Sequence, residues 1–118
     1  MKLSSNNIIN LEDYRVFSDD GKVMSKVFTG RDRGKDVRIR SKIDSLETRY
    51  DKIKIIIPDN VFSINPSFFE ELFVNVVTKL GKENFLDKFE FNSEGRYNYE
   101  KPLNEAIQRI LRNNTALD

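Results

Sequence analysis

Residues 52–81 read KIKIIIPDNVFSINPSFFEELFVNVVTKLG. The β-branched run Ile53–Ile57 is closed by a proline, which cannot donate to a strand ladder, and is typical of a strand covered on both faces in a parallel or mixed sheet. Asn65 and Pro66 then predict a helix start, with Asn as N-cap and Pro in the first turn. The apolar residues that follow recur at helical spacing until Gly81, a C-cap residue. The stretch predicts a buried strand followed by a long apolar helix.

Upstream of this stretch, alternating apolar residues and an Asp-Gly turn signal predict a β-hairpin over about residues 8–28. A charged loop with two glycines, residues 30–35, comes next. A helix is expected over about residues 35–50, because four apolar residues recur at helical spacing there. That predicted apolar stripe consists of Ile39, Ile43, Leu46 and Tyr50.

Downstream, a short strand is expected near residues 88–92, and Pro102 opens a last helix with one apolar face. The predicted order is β β α β α β α. Strands that alternate with helices indicate an α/β fold, here a mixed β-sheet layered with about three α-helices. The 118 residues contain no internal repeat or linker, so residues 1–118 are interpreted as a single domain.

Composition excludes several kinds of chemistry. The chain has no Cys and no His, which removes the thiolate nucleophile, the Cys zinc site and the commonest general base. Its carboxylates do not form a recognisable acid–base pair, so we expect a protein that is not an enzyme and needs no cofactor or metal. No segment is apolar enough for a membrane span, and the N-terminus does not resemble a signal peptide. We expect a cytoplasmic protein.

Charge is unevenly distributed, although the net charge is only +1. Residues 21–54 hold 11 basic and 5 acidic side chains. A glycine-containing segment before a helix could bind an anion through backbone N–H groups and arginines. Three interpretations stay open: a turn with solvated charges, an anion or acidic-partner site, and a nucleic-acid interface, although no aromatic residue lies between residues 31 and 49. The candidate anion-binding residues are Gly30, Arg31, Arg33, Gly34, Lys35 and Arg38.

One longer stretch resembles a known family. Residues 52–92, KIKIIIPDNVFSINPSFFEELFVNVVTKLGKENFLDKFEFN, resemble the STAS-like family of bacterial domains of unknown function. The STAS domains proper are those of sulfate transporters and anti-sigma-factor antagonists. The shared pattern is a buried strand, a Ser-Phe pair that opens an apolar helix ending in Leu-Gly, then a Phe, a strand and an Asn. Residues 28–38, FTGRDRGKDVR, add a similar Gly-Arg stretch, so the resemblance spans about residues 28–112.

The resemblance implies a regulatory role rather than catalysis. Anti-sigma-factor antagonists bind an ATP-dependent kinase and are switched by phosphorylation of a serine at the start of this helix. In this chain Pro66 occupies the acceptor position and Ser67 follows one position later. The resemblance therefore implies a partner-binding corner more than a phosphorylation switch. The expected partner-binding residues are Ser63, Asn65, Ser67 and Phe68.

Two functions follow from these patterns, and an enzyme that uses Lys, Tyr or Glu chemistry stays open as a third alternative. The first is a non-enzymatic interaction module that acts with an ATP-binding regulator of the histidine-kinase type. The second is a nucleic-acid, nucleotide or anion binder that uses the basic segment at residues 30–42.

Overall fold

The structure, a computed structural model, describes residues 7–15 and 26–116. The strands are β1 (Ile8–Asn10), β2 (Val27–Phe28), β3 (Ile53–Ile57), β4 (Ser63–Ile64) and β5 (Phe89–Ser93). The helices are α1 (Arg31–Ser41), α2 (Ile43–Arg49), α3 (Pro66–Lys88) and α4 (Glu100–Ala116). A 3-10 turn, Leu11–Tyr14, follows β1 directly. The predicted α/β class is confirmed.

The main sheet has three strands in the order β1-β3-β5. Ile9 pairs with Ile55, which pairs in turn with Phe91, and both pairings are parallel. A second, two-stranded parallel sheet joins β2 to β4, with Phe28 opposite Ile64. Among the described residues no antiparallel pairing occurs, so the mixed sheet of the sequence prediction is wrong for this part of the chain.

The predicted hairpin also needs correction. Its turn, at residues 19–22, lies outside the described residues. Of its flanking segments, residues 8–15 and 26–28 are described, and these do not pair with each other: β1 joins the main sheet, and β2 pairs with β4. The apolar alternation of the two segments predicted strands, and their described residues hold the short strands β1 and β2, but alternation does not specify the partner of a strand.

Helix α3 lies at the centre of the core, between α1 and α4. Phe68, Phe69, Phe73 and Phe85 are fully buried, and their rings contact one another in sequence along the helix. On β3, alternate residues face this core: Ile53, Ile55 and Ile57 are fully buried, while the two residues between them are half-buried. The buried strand and the apolar helix predicted from residues 52–81 are therefore confirmed.

The helix predicted over residues 35–50 is two helices. Lys42 adopts a left-handed conformation, with φ 59°, and separates α1 from α2. The change of direction removes Ile39 from the predicted apolar stripe, and 61% of its surface is exposed. Val37 is buried in its place, while Ile43 is buried as expected. The predicted stripe requires one unbroken helix. Because the helix breaks at Lys42, the buried side of α1 is not continuous with that of α2.

Helix α3 begins as predicted, and its end is more complex. The side chain of Asn65 accepts a hydrogen bond from the backbone N–H of Ser67, at 2.9 Å. At Gly81, φ is 80° and ψ is 169°, a conformation that is essentially restricted to glycine, and the helix is interrupted there. A second helical segment then runs to Lys88 and leads into β5. Gly81 therefore marks a kink within α3.

Glu47 of α2 holds the two segments of α3 together. Its carboxylate is 2.6 Å from the Nζ of Lys79, which precedes the kink. It is 3.1 Å from the Nζ of Lys88, which follows the kink. Only 5% of the Glu47 side chain is exposed, whereas 56% of the Lys79 side chain and 22% of the Lys88 side chain remain exposed.

Candidate functional site

The predicted anion-binding segment is helical rather than a loop. Gly30 is the N-cap of α1, with φ 89° and no side-chain cap. Gly34 is buried inside the helix, where an added Cβ would overlap the carbonyl oxygen of Phe68 and lie 2.9 Å from the Cβ of Glu71. The prediction that Gly34 belongs to a charged loop is therefore wrong. At this residue α1 approaches the backbone of α3 closely, and the lack of a side chain permits the contact.

Two of the predicted anion-binding arginines form ion pairs within the protein. Arg31 lies 3.3 Å from a carboxylate oxygen of Glu70 and 3.6 Å from one of Glu71. Arg38 lies 3.2 Å from Glu71. The same Glu70 oxygen is 3.7 Å from Arg109 of α4. These side chains thus connect α1, α3 and α4, and a bound anion would have to compete with two carboxylates.

The rest of the basic segment does not form one continuous surface. Residues of an α-helix follow each other at about 100°, so Arg33 and Arg40, two turns apart, share a side that differs from that of Arg31. Arg40 pairs with Asp36 at 3.0 Å and stacks on Tyr14, with 5.0 Å between guanidinium carbon and ring centre. Arg33 and Lys35 are exposed. The prediction that they bind an anion stays a prediction.

The predicted partner-binding residues lie at the corner where β4 leads into α3. Asn65 is exposed, and its side-chain oxygen accepts hydrogen bonds from the N–H and the hydroxyl of Ser67, both at 2.9 Å. Ser63 is half-buried in β4. Phe68 is fully buried and packs on Phe28, so it supports the corner from within and offers no surface to a partner. The structure therefore brings three of the four residues to this surface.

The most exposed aromatic residue of this corner, Phe62, is not among the residues predicted from the sequence. Phe62 is 78% exposed, and its backbone N–H donates to the carbonyl of Lys26 at 2.6 Å. Val27, which follows Lys26 and begins β2, is 39% exposed. No local signal in the sequence distinguishes an exposed phenylalanine from a buried one. We use the name Phe62 corner for residues 62–67.

A tyrosine holds the outer edge of this corner. The hydroxyl of Tyr97 accepts a hydrogen bond from the N–H of Ile64 at 2.9 Å and donates one to its carbonyl at 3.3 Å. These are the groups that a further strand would use, because the neighbouring N–H groups of Ser63 and Asn65 point the other way and bond to the carbonyls of Lys26 and Phe28. Tyr97 thus forms a wall at this edge of the corner.

The nearly buried carboxylates of the described residues are engaged in ion pairs. Within residues 7–15 and 26–116, no group of three acidic side chains is arranged to hold a metal ion. Glu47 and Glu70 are the nearly buried carboxylates, and each is paired with two basic side chains. Burial raises the pKa of Glu47, but hydrogen bonds from Lys79 and Lys88 and their charges outweigh it, so the pKa lies below its usual range.

Comparison with family models, with curated proteins and with solved structures finds no match to this chain. The resemblance to STAS-like domains stays a prediction. None of the described helices is long and apolar enough to cross a membrane.

Proposed function

We propose that this chain is a non-enzymatic regulatory module that binds a protein partner through the Phe62 corner. The exposure of Phe62 carries the proposal. Because 78% of Phe62 is exposed, folding buries little of its apolar surface, and that surface can still be buried against a partner. Aromatic side chains of this kind supply much of the binding energy of protein interfaces.

The surroundings of Phe62 support the same role. Val27 adds apolar surface on the adjoining strand, and it is half as exposed as Phe62. Asn65 and Ser67 place polar groups next to it, as in the polar rim of an interface. Hydrogen bonds from Tyr97 and from the Asn65 cap hold the corner in one conformation, so little ordering would be required on binding.

The resemblance to STAS-like domains supplies the partner in this proposal, an ATP-binding regulator of the histidine-kinase type. Such a role needs no catalytic group on this chain. Its specificity would come from the shape and polarity of the corner, together with the charges around it.

Site-specific photo-crosslinking tests the proposal. In one variant of this chain, expressed in its native cells, a photoreactive phenylalanine analogue replaces Phe62. In a second variant the analogue replaces Ile39, which is 61% exposed on α1. We expect a discrete protein adduct at position 62 and not at position 39, identified by mass spectrometry as an ATP-binding regulator. Adducts equal at the two positions would contradict the proposal.

The captured partner then allows a quantitative test. Phe62→Ala should weaken binding about 10- to 30-fold, the effect of removing an interface anchor, and Ile39→Ala should leave affinity unchanged. Neither substitution should lower stability, because both side chains are mostly exposed. Equal affinity of the Phe62→Ala protein and the unmodified protein would show that the partner binds elsewhere.

A second candidate, a nucleic-acid or anion binder, is favoured by one observation. Arg33 and Lys35 are exposed, and no carboxylate of the described residues lies within ion-pair distance of either.

A further inference from the structure

A groove runs between the Phe62 corner and the first turn of α4. Its volume is about 200 Å³. Its inner surface is apolar or aromatic, and its rim carries one lysine and one glutamate. The residues that line it are Ile64, Pro66, Tyr97, Lys101, Pro102 and Glu105.

The inner wall of this groove is held in place. The hydroxyl of Tyr97 is fixed by two hydrogen bonds to the backbone of Ile64. Pro66 and Pro102 lie in the first turns of α3 and α4, and their rings fix the backbone φ. An apolar cavity of about 150 Å³ accommodates a benzene molecule. The groove therefore has the size and the preformed shape to accept one aliphatic or aromatic side chain.

The rim of the groove continues into a polar stripe along α4. Lys101 and Glu105 belong to both surfaces. Along the helix, the stripe consists of Lys101, Asn104, Glu105, Gln108, Arg109 and Arg112. The exposed face of α4 beside the groove thus offers mainly hydrogen-bond donors.

Charge along the stripe is predominantly positive. Glu105, its one carboxylate, pairs with Arg109 at 2.7 Å. Lys101 and Arg112 have no carboxylate within ion-pair distance in the described part of the chain. Two cationic side chains on the stripe are therefore available to acidic groups of a ligand.

We propose that the groove and the α4 stripe together bind an acidic segment of the protein partner, which inserts one apolar side chain into the groove. This inference rests on the proposed function and names the chemistry of its partner. Lys101 and Arg112 are eleven residues apart, about 17 Å along a helix, a span that about five extended residues cover. The ligand is thus a short extended peptide with an apolar residue beside several carboxylates.

An NMR titration with defined peptides tests this inference. The probes are the acetylated, amidated peptide Leu-Asp-Glu-Asp-Glu, its reversed sequence, and the same pair with Ala in place of Leu. We expect one of the Leu peptides to shift the backbone amides of Ile64, Tyr97, Lys101 and Arg112. Replacing Leu by Ala should weaken binding at least fivefold, and raising the salt concentration to about 300 mM should weaken it further.

Charge-reversal variants localise the binding. The double variant Lys101→Glu/Arg112→Glu should lose affinity at least tenfold, while Lys82→Glu, at an exposed lysine of the second segment of α3, should retain it. All three positions are exposed, so the variants should keep the thermal midpoint of the unmodified protein.

The outcomes separate this inference from the proposed function. If no peptide at millimolar concentration shifts the amide resonances of the groove residues, while position 62 still captures a partner, the acidic-peptide inference is overturned. The proposal that the Phe62 corner binds a partner then still stands. If a thymidine oligonucleotide, but no peptide, shifts the amide resonances of the α4 stripe, the stripe binds nucleic acid and the inference is likewise overturned. Peptide shifts that the double variant abolishes support it.

Discussion

At the scale of single residues, Glu47 shows how a nearly buried charge is accommodated. Its side chain is 5% exposed, and leaving water disfavours its charged form. Lys79 and Lys88 supply two charge-assisted hydrogen bonds, and the second lysine also donates to the backbone carbonyl of Glu47 at 2.6 Å. The net effect is a lowered pKa, so ionised Glu47 stabilises the folded state.

The lowered pKa of Glu47 predicts a pH-dependent contribution to stability. An unfolded Glu has a pKa of about 4.3, and the folded pKa lies below it, so the contribution is fully present above about pH 4.3 and is lost as pH falls through the folded pKa. Glu47→Gln should lower the free energy of unfolding by about 2 kcal/mol at pH 7. Urea denaturation of both proteins from pH 7 to pH 3 should show the difference shrinking at the acidic end.

A matched control separates this effect from a general loss of acidic charge. Glu83 is exposed on the second segment of α3, and Glu83→Gln should change the free energy of unfolding by less than about 0.5 kcal/mol at every pH. A Glu47→Gln deficit that is equally large at pH 3 and pH 7 would show that the carboxylate does not act through its ionised form.

Local chemistry was predicted well where it depends on adjacent residues. Asn65 was expected to cap α3, and its side chain does so, because capping involves a backbone N–H only two residues ahead. Tyr97 and Ile64 are 33 positions apart, and their hydrogen bonds depend on the whole fold. The exposure of Phe62 also depends on distant elements, so spacing could not predict it.

At the scale of elements, the close contact between α1 and α3 depends on Gly34. The nearest atoms to an added Cβ include the backbone of Phe68 and Leu72, which cannot rotate away as a side chain can. Gly34→Ala should therefore lower the free energy of unfolding by about 1–3 kcal/mol, although alanine favours helices. Thermal or urea denaturation measures the change.

Lys35→Ala provides the comparison for Gly34→Ala on the same helix. Lys35 is exposed, and its replacement by alanine should be nearly neutral. A Gly34→Ala protein that is more stable than the unmodified one would mean that helix propensity dominates and that α1 moves away from α3 without cost.

Helix boundaries were predicted where caps mark them and missed where the backbone breaks without a marker. Asn65 and Pro66 identified the start of α3 correctly. The break between α1 and α2 lies at Lys42, a residue type with no preference for the left-handed conformation. The break is compatible with the burial of Ile43 and Glu47 on α2, and such packing is not visible in a single sequence.

At the scale of the whole molecule, the distribution of charge bears on the nucleic-acid candidate. The chain carries a net charge of +1, and Arg31 and Arg38 are paired with carboxylates of α3. Such a surface offers few phosphate contacts. The fold class was predicted from the sequence, but these ion pairs were not, because they join residues that are more than thirty positions apart.

We expect weak binding of a labelled 20-nucleotide single strand by fluorescence anisotropy. The dissociation constant at physiological salt should exceed about 10⁻⁴ M, and the log–log salt slope should stay below about 2 in magnitude, because each phosphate contact contributes about 0.7. A slope of about 4 or more that falls in the double variant Arg33→Glu/Lys35→Glu would instead establish nucleic-acid binding through α1. Lys82→Glu serves as the control.

The parallel sheets affect how the chain folds during synthesis. Ile9 pairs with Ile55 and Phe28 with Ile64, partners that are 46 and 36 positions apart. No described strand can therefore pair before its crossover has left the ribosome, and at about 5–20 residues per second this delay lasts seconds. Pairing between residues so far apart in sequence slows folding. The apolar N-terminal strands are thus exposed longest while the nascent chain is incomplete, which makes this interval the one in which a chaperone matters most.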